Sequence, residues 1–410
     1  MHPSTTDFII IGGGILGAAT AWSLAKRAPA GSRIRLIEAG LLHSATTSQA
    51  AALLTRVRPD PVMAAMVAET FKAVDELDRV LDEPLPMRRA GSLHLATQDS
   101  GREYLRNTDA NAQALGLSSR WLSSGEARNL IPWLSSPNDA EALFVADDGY
   151  MDPVQLAQGY VSAARQLGVE VVQNCRVQKL VTENGRVTGI QTAEGKMHAG
   201  TVICCAGPWS VALLADVGVA LPMAPVRSHY WITEDCAELF PPESPMVILP
   251  DANAYARPEV GGLLFGLRDR QAIYGDPANL PDDIHGYLFN RDPEGWECLE
   301  SGLDALAALF PALETLGIAH YLTGVSSYTP DGKPLIGATA VPGLLAGTGC
   351  SGGGIALSGG MGRLMAELAL EQPAFCDASV FAVDRFGAVD PFSEDFRIRC
   401  AMARSQKQSG

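Results

Sequence analysis

The chain has 410 residues, 47% of them apolar and 19% charged, and a formal net charge of −15. That length exceeds one ordinary core and suits two intertwined domains, and the apolar fraction excludes a disordered chain. The acidic balance and the lack of a basic stripe exclude duplex nucleic acid as a partner. Eight cysteines are scattered without a Cys-x-x-Cys pair, and Cys204 and Cys205 are adjacent. They read as reduced thiols of a cytoplasmic protein, with no metal site expected.

Asp7 to Gly12 is a continuous apolar run, as in a parallel strand buried on both faces. Ile15 to Arg27 reads as a helix and Arg33 to Glu38 as a second strand, completing a β-α-β unit. Phe8 to Ala25 is apolar over about the length of a membrane span. Glycines interrupt it, no Lys or Arg precedes it and no small-residue cleavage site follows, so neither an integral span nor a signal peptide is expected. Met63 to Leu81 has helical spacing, Gly91 to Ala96 reads as a strand, and Pro and Ser punctuate 118–140. Asp152-Pro153 opens another helix, and Asn184-Gly185 marks a hairpin between short strands. Thr201 to Ala206 is a further buried strand, and 221–290 alternates strands with loops. Leu299 to Phe310 and Gly360 to Leu370 read as helices, and the polar tail after Arg397 as frayed.

The chemistry-bearing signal is Gly12-x-Gly14-x-x-Gly17. The first glycine permits a tight strand-to-helix turn, the second lets backbone approach a pyrophosphate, and the third packs helix on strand. Ile15 and Leu16 then open a helix whose positive end faces the phosphates, and Glu38, followed by Ala39, can hydrogen-bond ribose hydroxyls. The motif alone fits NAD or FAD equally.

Downstream segments separate the two. His43 to Ala52, Asp148 to Pro153, Cys204 to Ser210, Tyr255 to Pro258, Tyr328 to Pro334 and Gly347 to Gly354 occur in an order that resembles the D-amino-acid oxidase superfamily of FAD-dependent oxidoreductases. That group includes sarcosine, dimethylglycine and glycine oxidases and D-arginine dehydrogenase, and the resemblance covers nearly the whole chain. It implies an α/β fold (α+β overall): a Rossmann-type FAD-binding domain from segments 1–85, 145–220 and 321–375. A substrate domain with a large mixed or antiparallel sheet would come from 86–144 and 221–320, with an extension at 376–410.

The resemblance also implies roles. Thr46, Thr47, Ser48, Gln49, Ala50 and Ala51 would pass beside the flavin, and Val177, Ala206, Gly207 and Trp209 near the adenosine side. Gly349, Cys350, Ser351, Gly352, Gly353, Gly354 and Ile355 would form a loop entering the last helix, whose positive end would stabilise reduced flavin. Dimethylglycine dehydrogenases link flavin to a histidine where this chain has Gln49, and sarcosine oxidases to a cysteine near the position of Gly324, so FAD is expected to be noncovalent. The substrate-carboxylate arginine of glycine oxidase is replaced by Ser326. Tyr255 and Arg257, two apart on one strand face, are candidates for a carboxylate clamp, as are Arg56 and Arg58. His229 is a candidate catalytic residue, although the family's histidine stands one residue earlier, which reverses the face. His43 reads as structural.

The implied reaction is hydride transfer from a carbon bearing an amine to flavin N5, on an amine or amino-acid substrate, giving an imine that hydrolyses. The acceptor would be O2, a quinone or a protein, and an oligomer is open. Two other readings stand: a 2-hydroxy-acid dehydrogenase on this fold, and a flavin-carrying electron-transfer subunit of a hetero-oligomer.

Overall fold

The computed structural model describes residues 6–407; the outermost parts of the expected segments, 1–5 and 408–410, lie outside the described residues. The buried run Thr6–Ile11 forms the central strand of a parallel sheet, between Gly195–Cys204 on one side and Ile34–Ile37 on the other. Leu344–Thr348 and Glu170–Val172 extend it in parallel, and Leu335–Ala338 closes one edge antiparallel. Successive connections leave Thr6–Ile11 in opposite directions, so its carboxyl end, at Gly12, is a topological switch point where ligands of open α/β sheets bind. Gly195–Cys204 is longer than the expected 201–206 because its first half pairs with Arg186–Thr192. That strand returns through Asn184 and Gly185, both at positive φ as the expected hairpin turn requires.

The helices Ile15–Arg27, Pro61–Val80, Pro153–Gln166 and Gly354–Ala369 share one apolar core on this sheet, including Trp22, Phe71, Tyr160 and Leu364. Asp152 caps its helix by accepting from the Gln155 N–H at 2.8 Å, as Asp-Pro predicted. The glycine-rich helix starts at Gly354, not Gly360, since its small residues are contact surface. A Cβ on Gly360 would lie 2.5 Å from the Met66 Cα, and one on Gly362 2.5 Å from the Ala19 carbonyl oxygen.

A second, eight-stranded sheet runs in the order Ile318–Tyr328, Ala224–Thr233, Gly262–Leu267, Ala254–Glu259, Met246–Leu249, Ser92–Ala96, Glu141–Val145, Ser119–Leu122. It is antiparallel except where Met246–Leu249 meets Ser92–Ala96. The long pair Ala224–Thr233 and Ile318–Tyr328 sets Ser228 opposite Gly324 and His229 opposite Thr323. Trp231 and Phe265 pack with Phe310 and the helix Trp296–Leu309 behind the sheet, whereas Tyr230 and Tyr255 belong to a cluster on the other face.

Two regions depart from the sequence expectation. Asp99–Ala114 is a helix although it is strongly polar, because only Gly101, Leu105, Thr108 and Ala112 are buried, too narrow a stripe to stand out. The tail is not frayed: Glu394–Gln406 is a helix whose Phe396, Cys400, Ala401 and Arg404 are buried. Among the described residues no helix is long and apolar enough to cross a membrane.

Gly360→Ala is expected to cost about 1–3 kcal/mol through overpacking against Met66. It should appear as a lower urea midpoint with an unchanged slope.

Candidate active site

The two sheets meet around a cavity of about 1130 Å³. Its floor is the fingerprint turn. Gly12, at φ 102°, lies so close to the Cys205 carbonyl that a Cβ would sit 2.5 Å from that oxygen. Gly17 does not reach the cavity; a Cβ there would lie 1.8 Å from the Gly12 oxygen, so its role is helix–strand packing. Glu38 accepts from the N–H groups of Gly13 at 2.6 Å and Gly40 at 2.9 Å, which leaves carboxylate lone pairs toward the cavity end it lines with Ala39 and Val177. Ala206, Gly207 and Trp209 continue this wall. Gly207, at φ 54°, has no atom within 4 Å of where a Cβ would point.

Two helices begin at the cavity, and neither N-terminus has a side-chain cap of its own: Gly14 precedes one and Gly353 the other. The first is served from a distance, by Thr47 Oγ1 accepting the Ile15 N–H at 2.9 Å. Thr46 ties the same segment to the Val325 carbonyl at 2.9 Å. Gln49, Ala50, Ala51, Gly352, Gly353, Gly354 and Ile355 line the cavity. Ser48, Gly349 and Ser351, expected at the cofactor, do not. Ser48 bonds back to Ala45, and Gly349 and Ser351, both at positive φ, shape the loop, with Ser351 Oγ accepting from the Thr329 N–H at 3.2 Å.

Gln49 and Gly324, the two positions at which the resemblance raised the question of a covalent flavin, touch: a Cβ on Gly324 would be 3.1 Å from the Gln49 Cβ. Neither carries a nucleophile. Cys350 also lines the cavity, but burial pushes its thiol up, away from the reactive thiolate.

The second sheet contributes Ser228, Tyr230, Tyr255 and Ser326. The ring of Tyr255 lies over Gly266, where a Cβ would come within 2.2 Å of it. The expected Tyr255–Arg257 clamp does not form. Arg257 is away from the cavity and donates to the carbonyls of Ala51 at 2.8 Å and Pro258 at 3.0 Å and pairs with Glu259, so its fork is occupied. Arg56 is also diverted, its N–H bonding Asp148 and its guanidinium facing Asp147 at 3.4 Å. Arg58 donates to Thr55 at 2.5 Å outside the cavity wall.

His229 borders the cavity, but its ring belongs to a network behind the strand. It meets the Tyr321 hydroxyl at 3.1 Å and Trp231 at 4.8 Å between centroids, and lies 3.7 Å from Asp269, which Arg227 already holds. Burial lowers its pKa to about 4, so it is neutral at physiological pH. Ser228, one residue earlier, takes the cavity-facing position.

Sequence reasoning missed two cations. Arg404 and Lys407, at the end of the C-terminal helix, line the cavity, with Lys407 Nζ 3.4 Å from where a Cβ on Gly352 would lie. Their signal was present: Arg404 continues the stripe Phe396, Cys400, Ala401 at helical spacing, yet an arginine reads as surface.

The profile of the "DAO: FAD dependent oxidoreductase" family matches residues 7–368, most of the chain. The chain belongs to this family. It is 30% identical to human mitochondrial sarcosine dehydrogenase over 94% of its own length and 42% of that protein's, so it spans less than half of that relative. It is 25% identical to the sarcosine oxidase subunit beta of an Arthrobacter species, over 93% of this chain and 91% of that one. Its fold is that of glycine oxidase from Geobacillus kaustophilus, with a TM-score of 0.76, 24% identity, and 92% and 98% of the two chains covered. Membership implies FAD, and the cavity fits it. Buried polar atoms without hydrogen-bond partners among the described residues (both ring nitrogens of His43, Gln49 Oε1 and Ser228 Oγ) belong to residues that line it.

Thr47→Val should lower stability by about 1 kcal/mol, as for loss of a helix cap, and loosen the flavin, with Thr47→Ser restoring both; thermal melts and retained flavin absorbance check this. His229 titrates near 4 folded and 6.5 unfolded, so the unfolded chain binds more protons between these values. Its contribution is therefore complete above about 6.5 and lost as pH falls toward 4. His229→Asn should flatten the slope of urea midpoint against pH across that window.

Proposed function

We propose that this protein oxidises the C–N bond of a small amino acid or secondary or N-methyl amine, using noncovalently bound FAD. The observation that carries the reading is a cavity lined both by the fingerprint turn and the Gly353–Gly354 helix start and by Ser228, Tyr255 and Ser326 of the second sheet. When bound, FAD supplies the two-electron acceptor for the hydride leaving the substrate carbon.

The chain's own contribution is binding and orientation. The N-termini at Gly14 and Gly353 present backbone N–H groups where negative charge gathers. Thr46 and Thr47 hold the segment between these helices in place. Tyr230 and Tyr255 exclude water from the substrate side. The substrate nitrogen must be neutral, so that its lone pair forms the C=N bond as the C–H bond breaks. Water then adds to that carbon, the C–N bond breaks, and a carbonyl compound leaves with a smaller amine or, from a primary amine, ammonia. No strong base is required, which agrees with a neutral His229 turned to the far side of its strand.

The experiment is a purified preparation with flavin absorbance, to which amines are added without oxygen. Bleaching by amines supports the reading, and no bleaching by any amine, or bleaching by 2-hydroxy acids alone, sinks it. Acid precipitation should release all the flavin; retained yellow colour in the pellet would mean a covalent bond. Peroxide formation on readmitting air separates O2 as acceptor from a quinone or protein, which an artificial dye would replace. Because the chain covers 91% of a sarcosine oxidase subunit, activity of the isolated chain also tests the electron-transfer-subunit reading.

A further inference from the structure

A loop that leaves the second sheet, residues 276–291, reaches the nucleotide-binding half of the molecule. Both its ends are fixed at one buried side chain. Before it, the Ile273 carbonyl accepts from the Arg227 N–H at 2.8 Å, and the Gly275 N–H donates to the Pro225 carbonyl at 2.9 Å. After it, the Asp292 carboxylate pairs with the Arg227 guanidinium at 2.9 Å. A surface loop whose ends are tied together in this way can move as a unit while its ends stay in place.

The middle of the loop is cavity wall: Asp282, Ile284 and His285 line the cavity together with Arg176 and Trp209. Those two partners come from the other sheet, Arg176 from the chain after Glu170–Val172 and Trp209 from the chain after Gly195–Cys204. Both bond directly to the loop. Trp209 Nε1 donates to the Pro281 carbonyl at 2.9 Å. Arg176 Nη2 donates to the Asp282 carbonyl at 2.8 Å, and Nη1 faces the Asp282 carboxylate at 3.1 Å. Ile284, 1% exposed, packs with Ile273, Phe289 and Val325, and Ala45 and Trp209 lie against that cluster.

The polar contacts are modest one by one. The Arg176 and Asp282 side chains are 40% and 82% exposed, so their ion pair is screened and contributes little. Each hydrogen bond to a loop carbonyl is worth a factor of about 2 to 10 in an opening equilibrium. A loop held by a few such contacts opens far more often than the sheet beneath it unfolds. We propose that residues 276–291 are a strap that controls exchange of FAD, with Arg176 and Trp209 as its latches. The cofactor enters and leaves when the latches release and the loop swings away from the cavity wall. This rests on the reading of FAD as a noncovalent cofactor and is independent of the substrate.

The test separates a strap from an ordinary cofactor contact by kinetics. A latch joins protein to protein, so weakening it raises FAD entry and exit together and leaves Kd nearly unchanged. A side chain whose role is to touch FAD instead changes exit and Kd in step. Release is followed by recovery of free-flavin fluorescence on dilution of the FAD-loaded protein, and uptake by quenching when FAD is added back. Arg176→Met and Trp209→Phe should each raise both rates by about three- to tenfold, and the double variant by about 10- to 100-fold, with Kd within about threefold of the parent. Arg106→Met breaks an ion pair with Glu141 away from the cavity wall and should change neither rate. Unchanged rates in the double variant, or in Arg176→Met if Trp209→Phe fails to fold, overturn the strap. Faster release with an equal loss of affinity also overturns it, and makes Arg176 and Trp209 direct FAD contacts. A preparation that holds no flavin, or keeps it in the acid pellet, overturns the cofactor reading and the strap with it.

Discussion

Two helices start at one cavity without capping side chains, and much of the architecture follows from that. The first four N–H groups of a helix need acceptors, and Gly14 and Gly353 supply none. The helices Ile15–Arg27 and Gly354–Ala369 pack directly on each other through Gly362 and Ala19, so their starts are close: a Cβ on Gly354 would lie 3.8 Å from Ile15. Thr47 satisfies one N–H, and thereby pins the segment 46–51 across the gap. The remaining positive potential is a fixed demand for an anionic or electron-rich partner, which a dinucleotide flavin meets.

The second sheet answers a different constraint. Its long antiparallel pair is in register over nine positions, from Ala224 to Ile232, before the register shifts at Thr233, so each residue's face is decided by parity. Ser228 and Tyr230 turn to the cavity, while Arg227, His229 and Trp231 turn to the helix behind. That turn removes His229 from acid–base work and places Arg227 in a buried ion-pair network with Asp269 and Asp292. Breaking such a network by removing one member would leave an unpaired buried charge. The sheet's cavity face at Ser228 is consequently suited to positioning, which agrees with the proposed reaction and its need for a dry, oriented site.

Much of the nucleotide-binding half was legible in the chain. The strand Thr6–Ile11, the helix Ile15–Arg27, the Asp152 cap and the Asn184-Gly185 turn are local: each depends on periodicity, a capping oxygen or a left-handed backbone. Ordered motifs also pointed to the segments around Thr47 and Gly352. The polar helix Asp99–Ala114 was not legible, because four scattered small or single apolar residues carry its burial. The clamp at Tyr255 and Arg257 failed for a related reason: sharing a strand face does not say which acceptors lie nearby, and Ala51, Pro258 and Glu259 take the guanidinium.

The sequence by itself therefore determined the β-α-β unit, the fingerprint and the absence of a nucleophile at Gln49 and Gly324, because these are properties of residue type and short-range spacing. Only the tertiary structure decided that Gln49 and Gly324 touch, that His229 faces away, and that the polar tail folds into Glu394–Gln406 to deliver Arg404 and Lys407. Those outcomes depend on contacts between segments far apart in the chain. An arginine's charge is visible in a sequence, but whether it ends in water or in a buried cavity is set by what packs over it.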